Sequence, residues 1–432
     1  MTTAAIVTLV LIVVGVPVAY SFGIGALAAF ASLGEFTEVP AVAYRAIDSF
    51  PLLAIPFFLL SGAVMNDGGV SRRLVAFVAV FTGRIKGGLG ATLLGASAIF
   101  GAISGSSIAT VSAMGSLMTP EMVARGYPRP YVGGLASVAG LLGILIPPSI
   151  PMVVYGVAAN VSIADMFLAG VGVGLLLLVA MMIVNFAWAT RQSGLQDRLA
   201  DPESLESTGA SGRRRLGVRL GKVGGAVPAL LMPVIILGGI YSGIFTPTEA
   251  GAAACLYGFF VGLFIYREMR LSSVGATLLD GMLATAPILV IIAMGGAFAR
   301  ALTLSGLPFT LAEWITALGP DTWLLLLLLN LLLLAVGCFV EENTAIIILT
   351  PLLMPIVTAY GIDPVQFGVI MVLNLGMGLA TPPMAPNIFV AARACEVPFH
   401  KIVGTTTKFL VFAALPVLIA VNVVPAISLW HM

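Results

Sequence analysis

The stretch "GILIPPSIP", residues 143–151, returns in pattern as "GLATPPMAP", residues 378–386. Gly143, Pro147, Pro148 and Pro151 coincide with Gly378, Pro382, Pro383 and Pro386 at an offset of 235. Proline has no N–H to donate within a helix and disfavours helical geometry in the residue before it. Each double proline therefore splits an apolar helix in two. The register extends outward from there. At offset 235 Gly126 meets Gly361, Gly133 meets Gly368 and Pro120 meets Pro355; upstream, at 236, Gly101 meets Gly337, Ala109 meets Ala345 and Pro51 meets Pro287. One short gap accounts for the drift, and the chain reads as an internal duplication.

The chain has 432 residues, of which 59% are hydrophobic and 9% charged. Soluble domains carry about 25% charged residues. So much apolar surface needs lipid as its solvent, and only helices or closed barrels satisfy the backbone there. Long apolar runs select the helices: an all-α polytopic membrane protein. The segment Ala4–Phe30 has no basic n-region and is too long for a signal-peptide core, so it reads as a retained membrane helix. Twenty basic against 19 acidic residues speak against a nucleic-acid partner. Cys255, Cys338 and Cys395 lie far apart and suggest neither a metal site nor a disulfide framework. The only histidines are His400 and His431, and no HExxH, GxSxG or GxxxxGK[ST] occurs. These absences speak against a membrane enzyme or an ATP-driven pump.

Of the 39 charged residues, 11 lie between Arg191 and Lys222, in the middle of the chain. This Gly-, Ser- and Arg-rich stretch is expected to be a cytoplasmic linker loop, 191–224, placed by Arg213, Arg214, Arg215, Arg219 and Lys222 under the positive-inside rule. Lys401 and Lys408 suggest the same side for their segment. The linker separates a first repeat, 1–190, from a second, 225–432. If each repeat crosses an odd number of times, the copies are inverted, as in many secondary transporters.

The tract around "GAISGSSIAT" (101–110) breaks between two apolar limbs, from about Gly88 and to about Thr119, each ~18–24 Å long as a helix. Neither limb spans a core of about 30 Å comfortably. A re-entrant hairpin over about 88–120, with its tip at Ser104–Ser107, resolves the mismatch. A second hairpin is expected over about 322–358, with its tip at Glu341–Thr344. The broken helices are expected over about 131–158 and 366–395. Carboxylates inside an apolar tract are costly; Glu341 and Glu342 need a polar cavity, a cation, an Arg or protonation, or else the tip reaches the hydrated interface. Freed carbonyls at a broken helix can cradle a cation, and a half-helix N-terminus attracts an anion. Ser106, Ser107, Asn343, Thr344, Thr381 and Asn387 add neutral oxygens, which suit an alkali cation, unless each hydroxyl bonds back to its own helix.

"FGAISGSSIATVSAMGSLMTPEM", "GYPRPYVGGLASVAGLLGILIPPSIPMVVYG", "IFTPTEAGAAA" and "TPPMAPNIFVAA" together resemble the large membrane subunit of TRAP (tripartite ATP-independent periplasmic) transporters, in order over essentially the whole chain. The resemblance implies a sodium-driven importer of organic acids such as sialic acid or C4-dicarboxylates in the bacterial inner membrane, not an enzyme. It implies a scaffold plus an elevator transport domain, a small four-helix membrane subunit and a periplasmic substrate-binding protein. With no added four-helix segment in this chain, the small subunit is expected to be a separate polypeptide. Sodium is the implied coupling ion, with no organic cofactor. By position, one sodium site involves Ser104, Gly105, Ser106 and Ser107 with Ile146, Pro147 and Pro148. The other involves Glu341, Glu342, Asn343 and Thr344 with Thr381, Pro382 and Pro383. Substrate is expected between the tips, near Ser106, Asn343, Asn387 and Arg393. Arg393 either pairs with the substrate carboxylate or with Glu341/Glu342, or snorkels to the interface. Arg300 reads as a scaffold residue. The second tip departs from the family pattern, which has Asp, Pro and small residues where this chain has Glu341, Glu342 and Asn343. A channel fits less well than alternating access. A stand-alone sodium-coupled anion symporter of the citrate or dicarboxylate type is the alternative.

Overall fold

A computed structural model describes residues 2–82, 85–192, 194–195 and 212–432. Among them the regular structure is entirely helical. The first half holds α1 (Thr2–Val13), α2 (Val18–Leu33), α3 (Val39–Ile47), α4 (Ala54–Asp67) and α5 (Val70–Thr82). Then come α6 (Gly88–Ser104), α7 (Ser107–Ala124), α8 (Arg129–Ala139), α9 (Leu142–Leu145), α10 (Ile150–Ala159) and α11 (Ile163–Thr190). The second half begins with α12 (Gly212–Tyr241), α13 (Pro247–Phe260), α14 (Leu271–Leu304) and α15 (Leu307–Leu318). It continues with α16 (Thr322–Gly337), α17 (Glu342–Ala359), α18 (Pro364–Leu379) and α19 (Pro386–Ala394). It closes with α20 (Phe399–Phe409) and α21 (Leu415–Val423), joined by a π-helical turn, Leu410–Ala414.

Seven described helices are long and apolar enough to cross a membrane, or eight if the pair Arg129–Leu145 and Ile150–Ala159, bent by 44°, counts as one. The predicted linker needs a correction: helix α12 starts at Gly212, so the loop expected over 191–224 is already helical in its last part. Positions 193 and 196–211 of that expectation lie outside the described residues.

The breaks follow local chemistry. Gly105 ends α6 at φ 61°, a left-handed conformation that costs glycine little, and Ser106 caps α7 by accepting from Ala109 N at 3.4 Å. Glu341 caps α17 in the second half. The double prolines separate α9 from α10 and α18 from α19.

Packing interlocks the halves. Limb α6 packs on α8 and α9 of its own half, and α16 packs on α18 of its own. After each break the chain crosses over: α10 packs on α17 of the second half, and α19 on α7 of the first. The sequence-matched glycines make matching contacts. A Cβ on Gly101 would stand 2.5 Å from Gly143 Cα, and one on Gly378 would stand 2.6 Å from Gly337 Cα. Both backbones approach too closely for any side chain.

Helix α11, with 28 residues about 42 Å long, gives a ruler. The base of the α6–α7 pair sits at its C-terminal end, where Lys86 Nζ donates to Thr190 O (3.3 Å) and Asn185 Nδ2 to Gly87 O (2.9 Å). The base of the α16–α17 pair lies toward the other end. There Tyr155 Oη donates to Pro364 O (2.6 Å), and a Cβ on Gly156 would meet Ile163 Cγ1 at 2.7 Å. The long α14 packs on α2, α3, α4 and α17.

Candidate functional site

The first tip is fastened to the break of its own half. Ile150 N donates to Gly105 O at 3.2 Å, and a Cβ on Gly105 would stand 2.9 Å from Pro148 O. Ser104, Ser107, Pro147 and Pro148 are buried; Ser106 and Ile146 are half-buried. Ser104 Oγ lies 3.4 Å from Thr110 Oγ1, which donates to Ser106 O at 2.8 Å. Ser149 caps α10 and donates its hydroxyl to Ile144 O across the break. The first set of predicted sodium residues is thus gathered around one tip and one break.

Asn387 joins this group from the opposite half. It is fully buried on α19, and its Nδ2 donates to Ser107 Oγ (2.8 Å) and Ser137 O (3.2 Å). Ser137 Oγ lies 2.8 Å from Thr406 Oγ1. Ser137, Thr406, Thr110 and Ser149 escaped the sequence reading, because a hydroxyl in an apolar helix ordinarily bonds back to its own backbone.

The second tip is more open. Met384 N donates to Cys338 O at 3.3 Å, fastening tip to break, while Pro382 and Pro383 are exposed. Glu341 accepts from Thr344 N (3.1 Å), Thr344 Oγ1 (3.2 Å) and Asn343 Nδ2. Its carboxylate therefore serves the helix N-terminus. Glu342 is 6% exposed; its Oε2 and Asn343 Oδ1 have no hydrogen-bond partner among the described residues, nor does Asn387 Oδ1. Thr381 Oγ1 donates to Met377 O at 2.7 Å, a bond within its own helix. Arg393 is exposed in the last turn of α19, and no ion pair joins it to Glu341 or Glu342 among the described residues. Arg300 is exposed near the end of α14.

Buried acceptor oxygens without a partner, beside broken helices, are the kind of ligand that hard cations take. Two cavities lie elsewhere. One, about 860 Å³, runs between α15 and α17; another, about 210 Å³, is apolar and lies among α3, α10, α14 and α17.

The model of the family described as "Tripartite ATP-independent periplasmic transporter, DctM component" matches residues 5–427. The chain belongs to this family. As a DctM component it is a transport protein, not an enzyme, and a multi-pass protein of the inner membrane. It is similar to the C4-dicarboxylate TRAP transporter large permease protein DctM of Pseudomonas aeruginosa, 43% identical over 387 residues, 89% of this chain and 87% of that protein. The sialic acid TRAP transporter large permease protein SiaM of Vibrio cholerae is 36% identical over 404 residues, 93% of this chain and 91% of that one. The isethionate TRAP transporter permease protein DctMQ of Oleidesulfovibrio alaskensis is 39% identical over 421 residues. That match takes in 97% of this DctM chain, which spans 64% of the longer relative. The crystal structure of the Alcanivorax borkumensis YdaH transporter superposes with a TM-score of 0.59 at 17% identity, covering 91% of this chain and 87% of that one, a likeness of fold alone.

Proposed function

We propose that this DctM component is the large subunit of a sodium-driven importer of an organic acid, delivered by a periplasmic binding protein and passed on with the help of a small four-helix membrane subunit. The observation that carries the ion-coupled reading is the pair of buried acceptors at the second tip, Glu342 Oε2 and Asn343 Oδ1, without a hydrogen-bond partner among the described residues, at a tip fastened to a broken helix. A sodium ion supplies the missing positive partner. The first site draws on Ser104–Ser107 with the carbonyls of Ile146–Pro148, the second on Glu341–Thr344 with those of Thr381–Pro383. In the second site Glu342 is the carboxylate free to meet the ion, because Glu341 is already engaged. Sodium would neutralise this charge and order the tip; Ser106 and Asn343 would then face the acid, with Arg393 as the cation to approach it, while Asn387, its amide hydrogens already given to Ser107 Oγ and Ser137 O, would stand behind the first tip.

The three relatives are named for a C4-dicarboxylate, a sialic acid and isethionate. All are anions, and one is a sulfonate. The substrate class is therefore an organic acid anion rather than a carboxylate alone. Opposite placement of the two pair bases along α11 supports re-entrant hairpins in an inverted repeat. Interlocking of α7, α10, α17 and α19 supports one compact transport body, moving as an elevator against the scaffold around α14.

The test is uptake in proteoliposomes holding this chain, its small partner and its binding protein, with and without an inward sodium gradient. Uptake that needs both sodium and the binding protein supports the proposal. Sodium-driven uptake without the binding protein favours a stand-alone symporter, and gradient-independent flux sinks ion coupling.

A further inference from the structure

Three asparagines lie in the apolar helices of the second half, outside the site above. Asn374, 1% exposed on α18, donates from Nδ2 to Asn330 O (3.0 Å) and Asn330 Oδ1 (2.8 Å) on α16. Asn330 Nδ2 in turn donates to Asn422 Oδ1 on α21 (2.9 Å) and to Leu326 O (2.7 Å). Asn422 closes the ladder on Leu418 O at 2.7 Å. Nothing local calls for polar groups here: Asn330 sits in a run of leucines, "LLLLLLNLLLL". An amide in such surroundings is held by its hydrogen bonds to other helices.

The position of the ladder gives it a task. Asn330 lies eight residues before Cys338, where the second tip begins, and Asn374 seven residues before Thr381, where the second break begins. Both are about two helical turns upstream of what they would align. Between ladder and tip, a Cβ on Gly337 would stand 3.1 Å from Leu375 Cα and 3.3 Å from Gly378 Cα. Beyond it Met384 N reaches Cys338 O. Limb α16 is thus fastened to α18 at three successive levels. The matching positions of the first half are Leu94 and Ala139, which offer no such bond. There the tip is held instead by Ile150 N on Gly105 O and by Asn387 on Ser107.

We propose that Asn374, acting through Asn330 and Asn422, is a positioning residue for the second sodium site: it fixes α16 on α18 so that Glu341–Thr344 and the carbonyls of Thr381–Pro383 stand in register. This rests on the sodium reading given above. Asn374 Oδ1 is buried and without a partner among the described residues, but about two helical turns separate it from the break; Asn374 acts by setting the spacing between two groups that meet the ion.

Binding of radioactive sodium to the purified full-length chain with its small partner in nanodiscs, together with uptake in proteoliposomes, tests this. Asn374→Leu should raise the half-saturating sodium concentration roughly tenfold, as loss of an orienting partner does at metal sites. The half-saturating substrate concentration at saturating sodium should stay as in the wild type. Asn330→Leu should act more weakly, because the Asn330 carbonyl still accepts from Asn374. The double variant should do no more than Asn374→Leu alone, and Asn374→Gln should recover part of the loss. Wild-type sodium binding in Asn374→Leu overturns the positioning role while leaving the sodium sites standing. Equal loss of sodium and substrate affinity also overturns it, since that is the mark of general misfolding. A wild-type chain that binds no sodium overturns both the role and the reading beneath it.

Discussion

Glu341 accepts three hydrogen bonds in the first turn of α17, whereas its neighbour Glu342 is buried with an oxygen unpartnered. Glu341→Ala should therefore lower stability by about 1 kcal/mol, the usual loss of a good N-cap, read as a drop in Tm in detergent. Glu342→Gln should leave Tm close to wild type but weaken or abolish the sodium dependence of uptake; unchanged sodium dependence would remove Glu342 from the ion site. Ser106→Leu and Thr381→Phe, which fill the first tip and the second break, should abolish uptake without blocking membrane insertion, checked by uptake against protein recovered in the membrane fraction. Arg393→Ala is expected to raise the half-saturating substrate concentration and leave that for sodium alone. If neither moves, Arg393 is an interfacial cation and not part of the site.

At the scale of elements, the charged cluster joining α5 to the α13–α14 connection makes a separate prediction. Glu268 accepts from Arg73 Nη1 at 2.6 Å and from Arg72, and the Arg73 guanidinium lies 3.7 Å from the centre of the Tyr266 ring. Burial pushes the Glu268 carboxyl up, but Arg73 and then Arg72 more than reverse this and hold it below the usual carboxylate range. A carboxyl depressed in the folded state stabilises above its unfolded pKa, and that contribution disappears as pH falls through the folded value. The chain should lose stability on acidification below about pH 4, by ~1 kcal/mol or less for so exposed a cluster. Glu268→Gln should remove that part of the pH dependence of Tm. The helix breaks were legible because their causes are local: Gly105 in a left-handed conformation, the capping Ser106 and the two double prolines interrupt their helices without help from distant residues. The start of α12 was not, since the Arg- and Gly-rich run around Gly212 reads as solvated loop by composition while its backbone is helical. Partners across the halves were not legible either. Nothing near Asn387 points to Ser107, and nothing near Asn374 points to Asn330. A lone asparagine in a leucine run does announce that some partner exists, and that signal at Asn330 was there to be read.

For the molecule as a whole, the packing of α10 on α17 and of α19 on α7 makes each half the other's support. Residues 1–190 expressed alone should be degraded or aggregate. Both halves co-expressed as separate chains should restore uptake if the covalent linker is dispensable, and the amount of full complex recovered from membranes checks this. The same interlock has a consequence for biosynthesis. Ser107 and Asn387 are separated by 280 residues, and ribosomes add about 5–20 residues per second. The first polar tip thus waits in the bilayer for roughly 14–56 s before its partner is even made. Over that interval an insertase or chaperone has to shield it, so depleting such a factor should harm the first half before the second has left the ribosome.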